Sequence, residues 1–217
     1  LDPDSDTAHW NLAHSLAESW NMQEALEVLA KAEAIAPQPG AKSMRASVAG
    51  RTGDADTALR LYKELADEEG HGSKMHSSAA MSSLYSDQLS PQQVADLHRE
   101  MFAHLGHNAR ALSSFKNDKS PDRPLRVGLV SADFHHQHPV NIFMQPVLAR
   151  LDRRAVEVTM YFTGVSYDEQ TQLAKRRVAR WVEATTWNDS QLARRIEEDG
   201  IDILLDLSGH TSMQRMS

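Results

Sequence analysis

The chain has no cysteine among its 217 residues, which excludes disulfides, thiolate nucleophiles and cysteine-ligated zinc or iron–sulfur centres in one step. Any chemistry must use imidazoles, carboxylates, hydroxyls or backbone groups. No apolar run is long enough to span a bilayer and no basic-then-apolar leader opens the chain, so no membrane partner is expected and the cytoplasm is the default compartment. Leu1-Asp2-Pro3 reads like the interior of a longer protein. There is no basic stripe with interleaved aromatics, and the net charge of −7 has the wrong sign for a phosphate backbone, so nucleic acid is not an expected partner. A Gly-x-Gly-x-x-Gly turn, a Walker-type phosphate loop and a Gly-x-Ser-x-Gly elbow are all missing. Their absence argues against a dinucleotide-binding Rossmann unit, a methyltransferase and a serine hydrolase built on Ser131, Asp133 and His138.

What is present is an ordinary globular composition, 41% hydrophobic and 24% charged, with its charge unevenly placed. Residues 1–72 hold 13 acids against 6 bases, whereas residues 73–217 hold 17 of each. The acidic part is also the repetitive part. Ala36-Pro37 echoes Asp2-Pro3 at a spacing of 34, the tetratricopeptide period. With Pro37 closing a repeat, Leu12, Ala13, Leu16, Ala25, Leu29 and Ala32 fall where two packed helices need small or apolar residues. The expected helices run over 6–19 and 22–34. A weaker second repeat turns at Gly53-Asp54 and presents Ala58, Leu59, Tyr62 and Leu65. Such repeats either form a peptide-binding groove or merely orient the rest of the chain.

Two further helices are expected over 75–85 and 91–105, the second capped by Ser90 with Pro91 at its first position. His98 and His104 lie six apart, which is not a same-face metal spacing, and read as surface or packing residues. Residues 106–123 read as a linker. From Leu125 strands and helices alternate: strands over 125–131, 156–163 and 203–207, and helices over 140–151, 168–180 and 190–199, with 181–183 an added short strand or a buried connector. Alternation of this kind demands a parallel sheet. The division expected is therefore 1–72 repeats, 73–123 connector and linker, and 124–217 an α/β unit. Trp10, Trp20, Trp181 and Trp187 are read as packing residues.

Two strand ends carry histidine, the segment Asp133–Pro139 and the segment Ser208-Gly209-His210-Thr211. In an open parallel sheet the carboxyl ends of the strands share one edge, so these loops can face one crevice across some 70 residues of sequence. Imidazole, with an ordinary pKa of about 6.5, can donate or accept a proton near neutrality. The cluster His135, His136 and His138 also invites a metal reading, which is disfavoured because Asp133 is the only nearby carboxylate to complete a ligand set.

Ser131-Ala132-Asp133-Phe134 with His138-Pro139, the run Asp199-Gly200-Ile201-Asp202-Ile203-Leu204-Leu205-Asp206-Leu207-Ser208-Gly209-His210-Thr211, the connector from Leu84 to Val94 and the preceding repeats together resemble the bacterial SPINDLY/O-GlcNAc transferase family. The resemblance spans essentially the whole chain. It implies tetratricopeptide helical repeats followed by the first Rossmann-like half of a glycosyltransferase-B type α/β catalytic region. It implies a protein O-glycosyltransferase that moves a sugar, GlcNAc-like or fucose, from a nucleotide-sugar donor to Ser or Thr of proteins. On this resemblance His138 and His210 are the catalytic candidates, Pro139, Gly209 and Thr211 line the substrate cleft, and no cofactor or metal is needed beyond the donor. The acceptor protein would dock in the repeat groove. The resemblance places most of the donor pocket in a second half, so these 217 residues are expected to be an amino-terminal piece that does not turn over alone. Three residues, His135 to Gln137, separate Phe134 from His138, more than the family pattern has; His138 is chosen for its Pro139 neighbour, with His136 next in line. Gln214 and Met216 stand where that pattern has Asn and Leu. The competing class is a non-catalytic tetratricopeptide-repeat binding module.

Overall fold

The computed structural model describes residues 4–69, 74–108 and 114–210. The chain divides into two compact units, Leu1–Ala109 and Arg110–Met216.

The first unit is helical. Helices α1 (Asp6–Glu18) and α2 (Met22–Ile35) pair through their small residues. Ser5 caps α1 by accepting a hydrogen bond from the Ala8 N–H at 3.1 Å. Ala13, Ala25, Leu29 and Ala32 are completely buried, and Leu12 and Leu16 pack beside them, as the 34-residue period predicts. Alanine at the crossing lets the helix axes approach closely enough for the leucines to interlock. Helices α3 (Ala41–Arg51) and α4 (Ala55–Glu69) form the second pair around Gly53, whose φ of +92° favours glycine. Helices α5 (Lys74–Ser83) and α6 (Pro91–Asn108) come next. Ser90 and Gln93 cap α6 reciprocally, each side chain accepting from the other's backbone N–H. Because α6 runs to Asn108, it takes in the first residues of the stretch read from sequence as linker.

Trp20 departs from its expected packing role. It occupies the turn between α1 and α2 with φ of +64° and is 67% exposed, while the Arg51 guanidinium stacks 4.5 Å from its ring centroid. A cation–π contact on the outside replaces burial.

The second unit is a four-stranded parallel sheet: β1 (Leu125–Ser131), β2 (Val156–Phe162), β3 (Arg180–Glu183) and β4 (Ile203–Asp206), in the spatial order β3-β2-β1-β4. Helices α7 (Pro139–Arg150) and α8 (Glu169–Arg177) contribute Leu148 and Ala174 to the face built on Leu129, Met160 and Phe162. Helix α9 (Asp189–Glu198) lays Leu192 against Val130, Tyr161 and Val182 on the other face. Alternate residues of each strand thus serve opposite cores, which is why β1 and β2 read as unbroken apolar runs. The stretch 181–183 is a strand, so α8 ends three residues earlier than the periodicity suggests: Val178 leaves helical geometry and Arg180 already pairs with Thr159.

The segment before β1 is tied into this unit. Asp202 accepts two bonds from Arg123, at 2.6 and 2.8 Å, one from Asn117 at 2.8 Å and one from the Arg126 N–H at 2.9 Å. Four donors on one carboxylate hold its pKa far below the usual aspartate range, with the Arg123 hydrogen bonds the largest cause.

Candidate active site

Chain order and spatial order part company at β1. The chain moves outward from β1 to β2 and β3, then returns to place β4 on the other side of β1. Such a reversal opens a crevice beyond the carboxyl ends of the two strands, where ligands bind in open α/β sheets. The two histidine loops leave from those ends. Asp133 to His138 follows β1, and Leu207 to His210 follows β4.

Within the first loop, Ser131 and Phe134 are fully buried and Asp133 is 5% exposed. Gln137 takes a left-handed φ of +64°, and this turn accommodates the additional residues between Phe134 and His138. His138 is the N-cap of α7, and its Nδ1 accepts the Val140 N–H at 3.3 Å. A ring nitrogen that accepts carries no proton, so the neutral ring keeps its hydrogen on Nε2. That Nε2 lies 3.6 Å from the Asp133 carboxylate, beyond hydrogen-bond length. The His135 ring leans on His138, with centroids 5.2 Å apart, and His136 is exposed. Pro139 occupies the first turn of α7, where its missing N–H costs nothing.

The second loop is shaped by Asp206. One carboxylate oxygen accepts the N–H groups of Ser208 at 3.0 Å and Gly209 at 2.7 Å, an Asx turn that carries Gly209 into a φ of +55°. Half-buried His210 comes directly after it. Thr211, Gln214 and Met216 lie outside the described residues. Topology therefore sets the His138 and His210 loops on neighbouring strand ends of one edge.

Asp133, the nearby carboxylate noted in the sequence, does lie beside His138, whereas sequence reasoning missed two groups that shape this edge: Asp206 as the turn former, and Asp168 with Thr171. Asp168 is the N-cap of α8 and forms a capping box with Thr171. Its second oxygen accepts the His136 N–H at 2.5 Å, and Thr171 Oγ1 donates to the Phe134 carbonyl at 2.7 Å in a buried position. The His136 N–H is the largest reason that the Asp168 carboxyl sits below its ordinary pKa, followed by the Thr171 N–H. A signal was present in Asp168-x-x-Thr171, a capping spacing before a helix. Among the described residues no group of three or more His, Asp or Glu side chains is arranged to hold a metal ion, and no helix is long and apolar enough to cross a membrane.

The pattern that defines glycosyl transferase family 41 matches residues 92–216. A protein from Hordeum vulgare named as a probable UDP-N-acetylglucosamine–peptide N-acetylglucosaminyltransferase SPINDLY is 31% identical over 136 residues, 61% of this chain and 14% of that protein. A protein from Arabidopsis thaliana named as a probable transferase of the same activity, SEC, is 31% identical over 94 residues, 42% of this chain and 9% of its own length. Among solved structures, a mutant O-GlcNAc transferase from Thermobaculum terrenum superposes with a TM-score of 0.83 at 26% identity, over 99% of this chain and 41% of that one. The chain thus spans a minor part of the length of each of these relatives.

Proposed function

The chain belongs to glycosyl transferase family 41, and from that premise we propose that it is the amino-terminal part of a protein O-glycosyltransferase that transfers a sugar from a nucleotide donor to Ser or Thr hydroxyls. The donor assigned is a UDP-N-acetylglucosamine-like nucleotide sugar, in keeping with the names of the SPINDLY and SEC relatives. The observation that carries the proposal is the placement of His138 beside a buried carboxylate at the sheet's reversal point.

In the reaction the acceptor oxygen bonds to the anomeric carbon as the bond from that carbon to the diphosphate breaks. The bonding pair leaves on the diphosphate, and the hydroxyl proton passes to an oxygen of that departing group. A group that donates a hydrogen bond to an oxygen gaining negative charge stabilises that transition state. His138 is arranged to be such a donor, since Nδ1 is engaged by Val140 and Nε2 carries the proton, 3.6 Å from the Asp133 carboxylate. For Nδ1 to serve as a base, the ring would first have to release the cap of α7. His210 and Gly209 on the β4 loop are proposed to line the same cleft as Pro139, and Thr211 is proposed as a further substrate-binding residue. The tetratricopeptide groove is proposed to dock the acceptor protein. No metal or cofactor is assigned a part.

The test is sugar transfer by the full-length protein carrying His138→Asn. Asparagine caps a helix well, so α7 survives while the imidazole is lost. Transfer is expected to fall by about 100-fold, the range for removal of one preorganised donor, with the melting temperature essentially unchanged. Wild-type transfer by His138→Asn would remove His138 from the mechanism, and no transfer by the wild-type protein would favour the binding-module reading.

A further inference from the structure

The residues that orient His138 lie on a different helix from the one it caps. The loop from Phe134 to His138 is gripped from α8 at two backbone groups flanking His135: Thr171 Oγ1 donates to the Phe134 carbonyl, and Asp168 accepts the His136 N–H. Each holding side chain is itself fixed, because Asp168 Oδ1 accepts the N–H groups of Gln170 and Thr171 at 2.9 and 3.0 Å while Thr171 Oγ1 accepts the Asp168 N–H at 3.2 Å. Thus the two carboxylate oxygens are divided, one for the helix and one for the loop.

The same helix also holds α7. Gln145 of α7 is buried, and its amide donates to Asn141 Oδ1 and to the Gln170 carbonyl, both at 2.9 Å. Arg177, at the far end of α8, returns a bond to Gln145 Oε1 at 2.8 Å. The loop and the helix it feeds are therefore referenced to one rigid body. Between the last α8 grip, at His136, and the cap, at His138, the chain turns at the left-handed residue Gln137, a turn closed by the His138 N–H donating to the His135 carbonyl at 3.3 Å.

We infer that the amino end of α8 is the positioning device for the His138 imidazole, with Asp168 and Thr171 as positioning residues that set its tautomer and its aim through the Phe134–His136 backbone. This rests on the reading of His138 as the imidazole of the active site. It explains why an N-cap carboxylate, already satisfied by its own helix, commits its second oxygen to a neighbouring loop. Releasing His136 leaves the turn at Gln137 held by its own backbone bond alone, so the aim of the His138 ring onto the Val140 N–H is no longer set from α8.

Asp168→Asn separates the two roles of the carboxylate. Asparagine caps a helix about as well as aspartate, but its amide offers one acceptor where the carboxylate offered two. Imidazole nitrogen–proton correlation spectra of the 217-residue chain, recorded above the ordinary imidazole pKa of about 6.5, are expected to show His138 as the Nε2–H tautomer. In Asp168→Asn the two tautomers are expected to mix, while the melting temperature stays within about 3 °C. Thr171→Val is expected to act in the same direction, and Thr171→Ser, which keeps the donor to Phe134, to restore the wild-type spectrum. In the full-length transferase Asp168→Asn is expected to lower kcat about tenfold with donor KM unchanged, because misplacement of a reacting group is felt in the transition state. A His138 spectrum unchanged in both Asp168→Asn and Thr171→Val, or an unchanged kcat in Asp168→Asn, would overturn the assignment. Failure of the transferase reading is told apart by His138→Asn, which would then transfer at the wild-type rate whatever the imidazole spectra show.

Discussion

Gly164, just beyond β2, shows how a residue without a side chain shapes the candidate site. A Cβ built there would lie 2.4 Å from the Ala132 carbonyl oxygen and 2.7 Å from the Phe162 ring, so β2's exit presses directly on the backbone that leads to Asp133. Backbone has no rotamer by which to escape. Gly164→Ala is expected to cost about 1–3 kcal/mol, the usual range for overpacking, read as a lower urea midpoint, and to disturb the β1 loop as well. Asp202 acts at the opposite end of the sheet, pinning Asn117 and Arg123. Its folded pKa lies below the unfolded aspartate value of about 3.9. The stabilisation it supplies is therefore complete above the unfolded value and is lost as pH falls through the folded one. Asp202→Asn is expected to lower the urea midpoint near neutrality and to flatten the acid limb of stability against pH. An acid limb as steep as that of the wild type would contradict this account.

At the level of elements, legibility in the sequence tracked the strength of the local signal. The pair α1 and α2 could be read because the 34-residue period puts Ala13, Ala25 and Ala32 where two helices touch, and all three prove fully buried. The strands β1 and β2 could be read because both faces of the sheet are covered, leaving unbroken apolar runs. The β3 strand was ambiguous at four residues, since Arg180 and Glu183 are polar and only Val182 is buried. The candidate site was half legible. Histidines at strand ends are visible as residue types, whereas the grip of Asp168 and Thr171 on a loop more than 30 residues away is a tertiary fact. Trp20 was misplaced as a packing residue, because periodicity says nothing of a left-handed turn outside the helix. Its contact with Arg51 joins the α1–α2 turn to α3, and Arg51 also reaches Glu18 at 3.3 Å. Arg51→Gln is expected to cost about 0.5–1 kcal/mol, the worth of an exposed cation–π contact, seen as a small fall in melting temperature. A change smaller than the error of that measurement would make the stacking incidental.

Across the whole molecule the sheet is asymmetric in its finish. On one side it ends at β3, four residues long and bearing Arg180 and Glu183. On the other it ends at β4, where Ile203, Leu204 and Leu205 are 44–49% exposed, beside a groove of about 1090 Å³ lined in part by Leu192, Ile196 and Ile201. Among the described residues no strand pairs with the outer edge of β4; an apolar strand in that setting is a template for further pairing, and natural edges are normally blunted by charge, proline or a covering helix. The solved transferase that this chain matches is more than twice as long, so in that setting further polypeptide is available to the sheet. On the 217-residue chain alone, the edge is expected to pair with a second copy. Sedimentation of this chain should then show association that rises with concentration. Leu205→Lys, which places a charge on the open edge without removing a fully buried side chain, should return it to a monomer. A wild-type chain that stays monomeric at every concentration would mean that the β4 edge is already protected by its own surroundings.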